Sequence, residues 1–225
     1  MKMLASADLH GKRPVYEWLA RTALEHRVEA VVLGGDLLGC PDGFATPEDA
    51  QRHDARFLSE FLAGIGLPIL YIMGNDDLVE LNSGSAEVRS IHGRRVQAGP
   101  YSFVGYQYSL PFMGGTFEKP EADIEVDLAA LDGLVDKATV FVSHSPALGI
   151  LDPGFGEARI GSSALCNFLQ RNSFRAHIHG HSHAGFGRQG PHFNVASAGR
   201  ERAMILNLAT MEHQIVGSRQ PNFEA

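Results

Sequence analysis

Residues 1–36 read MKMLASADLHGKRPVYEWLARTALEHRVEAVVLGGD, and the fold is decided here. Lys2 to Ala7 is an apolar run of strand length that stops at a polar cluster, Asp8-Leu9-His10-Gly11. Lys12 to His26 sets Val15, Trp18, Leu19, Thr22 and Ala23 on one face of a helix. Val28 to Leu33 is a second apolar run, rich in β-branched residues, and it stops at Gly34-Gly35-Asp36. Strand, helix and strand in this order predict a right-handed crossover and two parallel neighbours in one sheet.

The pattern continues outward. Pro47 to Ala63 is a predicted helix with Phe57, Leu58, Phe61 and Leu62 inward, and Pro68 to Met73 a third buried strand. Further on, Tyr101 to Tyr106 and Thr139 to Val142 read as strands and Asp127 to Val135 as a helix presenting Leu128, Leu131 and Val135. Ser162 is placed to cap a helix that carries Leu165, Phe168 and Leu169. Arg175 to Ile178 is a short strand, and His192–Ala196, Arg202–Leu208 and Glu212–Val216 suggest successive antiparallel strands. Leu78–Arg89 and Phe112–Glu121 read as irregular, and loops of this length often carry substrate contacts.

Five polar groups follow buried strands: Asp8-Leu9-His10, Gly34-Gly35-Asp36, Gly74-Asn75-Asp76-Asp77, Ser143-His144-Ser145 and Gly180-His181-Ser182-His183. In α/β sheets the strand ends open on a common crevice where ligands bind. Asp, Asn and His are hard or borderline metal donors. Asp8 and His10, like His181 and His183, are two apart, so in extended backbone they point the same way. Taken singly, each group has an ordinary explanation: a capping Asp, a Gly-rich turn, a loop histidine, a His-rich tract. Ligand-type residues after five separate buried strands are a different matter, because independent turns rarely supply them together.

Together these blocks resemble the calcineurin-like metallophosphoesterases, whose pattern runs Asp-x-His, Gly-Asp, Gly-Asn-His-Asp/Glu, a lone His, then Gly-His-x-His. The resemblance spans Asp8 to His183. It implies an α/β fold, a four-layer αββα sandwich of two mixed sheets flanked by helices. It also implies two divalent or transition-metal ions such as manganese, iron or zinc. Asp8, His10, Asp36 and His183 would hold one ion, with Asp36 bridging to a second that Asn75, His144 and His181 complete. The expected activity is hydrolysis of a phosphodiester or phosphomonoester by attack of a metal-bound hydroxide.

The sequence departs from the family at one place. Asp76 stands where the family has the His that protonates the leaving group or steadies the transition state. Asp76 and His179 are the candidate catalytic residues, but an Asp beside two dications is a poor proton donor. Either the enzyme favours leaving groups that need little protonation, or His179 or another loop group replaces the missing acid, or the chain is a metal-binding scaffold with weak catalysis.

Bulk properties narrow the classes further. With 225 residues, 44% of them hydrophobic, the chain suits one domain over residues 1–225. It has no uninterrupted apolar stretch of about 18 residues, so no membrane partner is expected. A cytoplasmic location is the default, with Cys40 and Cys166 as ordinary thiols. A net charge of −7 disfavours general nucleic-acid binding and leaves a small phosphorylated substrate as the expected partner.

Overall fold

The computed structural model describes residues 1–218. In chain order the first half contains β1 (Lys2–Ser6), α1 (Arg13–Glu25), β2 (Ala30–Gly34), α2 (Pro47–Gly64), β3 (Ile69–Ile72), β4 (Val88–Ser90), β5 (Arg95–Ala98) and β6 (Tyr101–Tyr106). The second half contains α3 (Glu121–Ala129), β7 (Thr139–Ser143), α4 (Ser163–Arg171), β8 (Ala176–His179), β9 (Gly187–Gln189), β10 (His192–Asn194), β11 (Arg202–Asn207) and β12 (His213–Gly217).

Two six-stranded sheets form, in the orders β12-β11-β1-β2-β3-β4 and β5-β6-β7-β8-β10-β9. Both are mixed. β1 to β4 run parallel and β11 and β12 add antiparallel strands, while in the second sheet β6, β7, β8 and β10 run parallel between antiparallel β5 and β9.

Strand alternation builds the layers. Leu4, Val31, Leu33, Ile69 and Tyr71 face outward onto Leu19 of α1 and Leu58 and Leu62 of α2. The alternate residues Met3, Ala5, Val32, Leu70 and Ile72 face Phe103, Val140, Val142 and Ile178 of the second sheet. That sheet's other face packs Val104, Tyr106 and Phe141 on Ile124 and Leu128 of α3 and Leu165 and Phe168 of α4. The result is the four-layer αββα sandwich. No helix of the described residues is long and apolar enough to cross a membrane.

Helix starts follow local chemistry. Thr46 accepts the Asp49 N–H at 3.1 Å ahead of Pro47, and Ser162 accepts the Leu165 N–H at 3.0 Å.

Several expectations need correcting. α3 begins at Glu121, directly after Pro120, and ends at Ala129, so Asp127–Val135 is the end of a helix plus a 3₁₀ turn at Asp132–Leu134. Phe57 and Phe61 lie at the margin of α2's inner face, half-buried, while Ala55, Leu58 and Leu62 are fully inside. Of the three late strands, β11 and β12 are antiparallel neighbours as expected, but β10 is not their partner: it lies parallel to β8 in the second sheet, whereas β11 and β12 complete the first. Strands β4, β5 and β9 are three or four residues long and carry arginines, too short and polar for a periodic signal.

Candidate metal centre

Every ligand-type side chain leaves the C-terminal end of a parallel strand. Asp8 and His10 follow β1, Asp36 follows β2, Asn75 and Asp76 follow β3, His144 follows β7, and His181 and His183 follow β8. The first sheet supplies three of these strand ends and the second sheet two. Backbone hydrogen bonds hold the ends in register: Asp8 N–H to Gly35 O at 2.9 Å, His10 N–H to Asp36 O at 2.9 Å, and Gly180 N–H to His144 O at 3.1 Å. Between the sheets, the His181 N–H donates to both Asp8 carboxylate oxygens at 3.1 Å.

Asp8, His10, Asp36 and His181 all lie in the left-handed region, with φ of 58°, 49°, 52° and 64°. For a residue with a Cβ such backbone is costly, and it persists where surrounding bonds over-determine it. Here it turns the chain sharply enough to aim side chains of consecutive strand ends into one space. Glycines permit the close approach. A Cβ on Gly35 would strike the His144 ring, one on Gly74 would strike Asp36, and one on Gly180 would meet Asp8 Oδ2.

The side chains gather in two adjoining groups. Donor atoms of Asp8, His10 and His183 lie within 4.8 Å of one another, as do those of Asp36, His144 and His181. A third group, His10, Asp36 and Asp76, overlaps both. His183 Nε2 is 3.3 Å from Asp8 Oδ1 and His144 Nε2 is 3.4 Å from Asp36 Oδ1. Asn75 joins the second group with its Oδ1 2.9 Å from His144 Nε2. His144 Nδ1 lies 2.9 Å from the Gly34 carbonyl, which can only accept. Nδ1 therefore carries the proton, and Nε2 is the nitrogen turned into the site.

The donors suit divalent cations. All are oxygen or imidazole nitrogen. Asp8 and Asp36 are buried, and among the described residues their ion-pair partners are histidines, not Lys or Arg. A buried carboxylate needs a compensating charge, which a bound cation supplies. Without one, histidines take that part. Burial alone would raise Asp36, but His144 and His10 outweigh it and hold the carboxyl at about 2. Burial would lower His144, but Asp36 and Asp8 outweigh it and hold the ring at about 10. His183 is raised by its hydrogen bond to Asp8, whereas burial and then the charge of His144 bring His181 down to about 4.

Asp76 is brought to the edge of the cluster. Its Oδ2 is 3.4 Å from His10 Nδ1, its Oδ1 accepts from Asn75 Nδ2 at 2.9 Å, and its backbone N–H donates to Asp36 Oδ1 at 2.8 Å. Burial, followed by the charge of Asp36, raises its carboxyl. His179 is not brought there. It points to the other side of β8, fully buried, with its ring stacked on His177 at 5.1 Å and its Nε2 without a hydrogen-bond partner among the described residues. Alternation puts His177 and His179 on one face of β8, and the left-handed turn at His181, with φ of 64°, redirects the histidines that follow the strand.

Supporting residues are harder to read from sequence. Asp77 accepts from the N–H groups of Leu37, Leu38 and Gly74 at 2.8–3.2 Å, clamping the Asp36 loop to the Asn75 loop. Burial and the charge of Asp36 push its carboxyl up against the pull of those donors. Gln51, on α2, donates to the Asp76 carbonyl at 2.7 Å and accepts from Leu78 N–H at 2.6 Å. Asn194 donates to the Ser182 carbonyl at 2.8 Å, and Ser197 Oγ donates to the Asp8 carbonyl at 2.9 Å. Only Asp77 carried a local signal, the Gly-Asn-Asp-Asp turn; the others are ordinary polar residues distant in sequence.

A cleft of about 350 Å³ opens above the cluster, floored by Asp36, Asn75, Asp76, His181 and His183 and walled by apolar residues on two loops and by Ala184 beside His183.

The chain matches the calcineurin-like phosphoesterase family over residues 1–185. Comparison with curated proteins finds no match. Among solved structures it is similar to TT1561 of Thermus thermophilus, with a TM-score of 0.72, 18% identity, and coverage of 97% of this chain and 99% of that one. A dimetal phosphatase from Danio rerio superposes with a TM-score of 0.62 and 13% identity, over 96% of this chain and 98% of that one. An archaeal phosphodiesterase gives 0.50 and 15%, over 96% and 99%. At these identities the structural likeness speaks to the fold, and the family match covers most of the sequence. This chain belongs to the calcineurin-like phosphoesterase family.

Proposed function

We propose that the protein is a phosphoesterase that holds two divalent or transition-metal ions and uses them to hydrolyse a phosphodiester or phosphomonoester. The observation that carries this reading is the adjacency of two donor groups, Asp8–His10–His183 and Asp36–His144–His181, beneath an open cleft. Asp36 stands between the groups and would contact both ions, while neutral Asn75 adds a donor without adding charge. Bound there, the ions supply Lewis acidity toward phosphoryl oxygens and lower the pKa of a water.

The chain's own residues do the positioning. Gly34 O fixes the His144 tautomer, and Asp8 is anchored by the His181 N–H. Asp76 holds the Asn75 amide so that its oxygen faces His144. With a carboxylate at position 76 and His179 buried behind the sheet, no imidazole outside the ligand set lines the cleft among the described residues. The proposed enzyme therefore acts best on esters whose leaving group departs with little protonation.

The test uses protein stripped by a chelator and reloaded with manganese or zinc. Elemental analysis is expected to give about two ions per chain, and bis(p-nitrophenyl) phosphate or p-nitrophenyl phosphate is turned over only by the reloaded form. Asp36→Asn is expected to lower both metal content and turnover. Asp76 in place of an imidazole favours a second reading, a metal-binding scaffold of the same fold. Full metal uptake with no hydrolysis of either ester would establish that reading and discard the enzymatic one.

A further inference from the structure

We infer that the cleft selects phosphate esters whose organic group is apolar, an aromatic ring or a short hydrocarbon chain, over sugar-like or multiply phosphorylated ones. This rests on the proposed phosphate-binding role of the metal centre and specifies what lies beyond the phosphate.

The walls of the cleft carry the argument. They are formed by Phe112, Pro153, Phe155, Ile160 and Ala184. Two of these are among the large apolar side chains left most open to solvent: Phe112 is 61% and Phe155 91% exposed. Met113, beside Phe112, is 78% exposed. Single exposed apolar residues are ordinary, but apolar residues gathered on the rim of one polar-floored cleft mark a ligand surface. No Lys or Arg lines the cleft among the described residues. A second phosphate, or a string of them, would find no charge partner away from the cluster. Arg159, the basic residue nearest to this wall in sequence, borders an adjoining depression that shares Pro153 and Ala184 with the cleft, and its charge is engaged by Asp152 at 2.7 Å.

Both walls are built into the site. The tip at Phe112 is held by the Glu118 carboxylate, which accepts the N–H groups of Phe112, Met113 and Gly114 at 2.8–2.9 Å. Gly115 lies so close to the Asn75 carbonyl that a Cβ there would come within 2.6 Å of it. The Phe112 ring meets the His181 ring edge-on, with centroids 6.4 Å apart. Opposite, Gly154 N–H donates to Ala158 O at 2.8 Å to close the turn that bears Phe155. The Pro153 carbonyl of that turn accepts from Ser182 Oγ at 2.6 Å, and Ser182 is the residue between His181 and His183. Each apolar wall is thus tied to a ligand-bearing segment, so that a phosphoryl group on the cluster directs its organic substituent between Phe112 and Phe155.

Phosphonates resist hydrolysis, so the preference can be measured whether or not the protein turns over esters. Manganese-loaded protein is titrated calorimetrically with phenylphosphonate and with methylphosphonate. Phenylphosphonate is expected to bind about tenfold or more tightly, from burial of one ring. In the Phe112→Ser/Phe155→Ser variant the two affinities are expected to converge to within about twofold, since both changes fall on exposed side chains whose apolar area would be gone. Equal affinities in the parent, or a preference that survives in the variant, would overturn the inference. A kept preference with no ester hydrolysis would remove the catalytic proposal alone, and hydrolysis without a preference would remove this one alone. Binding of neither phosphonate by metal-loaded protein would remove this inference, and would remove the catalytic proposal only if ester hydrolysis were absent as well.

Discussion

At the scale of single residues, the unusual feature of this chain is the carboxylate at position 76. Its neighbours are His10, Asn75 and Asp36, all belonging to the candidate metal centre. A carboxylate so placed can position the Asn75 amide, but beside bound cations it would be ionised and would make a poor proton donor. The proposed mechanism therefore lacks an acid for difficult leaving groups. Asp76→His is expected to raise kcat/KM for a phenyl or alkyl phosphodiester by about tenfold or more, since a fully positioned general acid contributes roughly 10²–10⁴-fold. The gain for a p-nitrophenyl ester, which needs little protonation, should be much smaller. Steady-state rates on the paired esters check this, and equal gains on both would show that proton donation is not what position 76 lacks.

At the scale of elements, the strands deliver the chemistry and the helices hold the strands. The N-terminus of α4 illustrates the coupling. Ser162 Oγ accepts from Leu165 N–H, while Glu121, the first residue of α3, accepts from Ser162 Oγ at 2.5 Å and from Ala164 N–H at 2.7 Å. One helix start thus caps another, and α3 is fastened to α4 at the end where both begin. Ser162→Ala is expected to cost about 1 kcal/mol, the ordinary size of a lost cap. Glu121→Ala should cost a similar amount. Because the two residues share one network, the double variant should depart from the sum by roughly 0.5 kcal/mol or more. Urea unfolding midpoints measure all three, and strict additivity would contradict the shared network.

For the whole molecule, the sandwich buries histidines as well as apolar side chains. His177 lies between Phe141, Phe174 and His179, and burial holds its ring well below its usual range. His92 packs against Tyr106 and Tyr108, and burial holds it at about 4. Both are neutral in the folded chain. Once unfolded they take up protons below about pH 6.5, so the unfolded state then binds more protons than the native one. Their contribution to stability is complete above that pH and is lost as the pH falls toward 4. Thermal melts at pH 7.5, 6 and 5 should show Tm dropping, and His92→Gln should reduce the size of the drop. Parallel declines in parent and variant would mean that His92 takes no part in acid sensitivity.

The layers themselves were largely legible in the residue order. Apolar runs ending in Asp8, Asp36, Asn75, His144 and His181 predicted strand ends with polar cargo, because a buried strand needs a continuous apolar run and a crossover fixes its neighbours. The start of α3 was not legible, since Pro120 and Glu121 look like loop residues until Glu121 is seen capping the next helix. The late strands were legible as strands and not as partners: choosing between two sheets is a matter of long-range pairing, and a strand's own composition does not encode it. The side of β8 on which His179 falls, and the polar clamps made by Gln51, Asn194 and Ser197, likewise depend on long-range contacts. The two apolar rims had no periodic signal, because Phe112 and Phe155 lie on loops whose positions are set by Glu118 and Ser182. Local periodicity and the identities of strand-end residues by themselves determined the class of fold and the family, because both arise from short-range pattern. Only the tertiary structure decided which side chains share a cleft and what surrounds the candidate metal centre, because those facts depend on contacts between segments far apart in the chain.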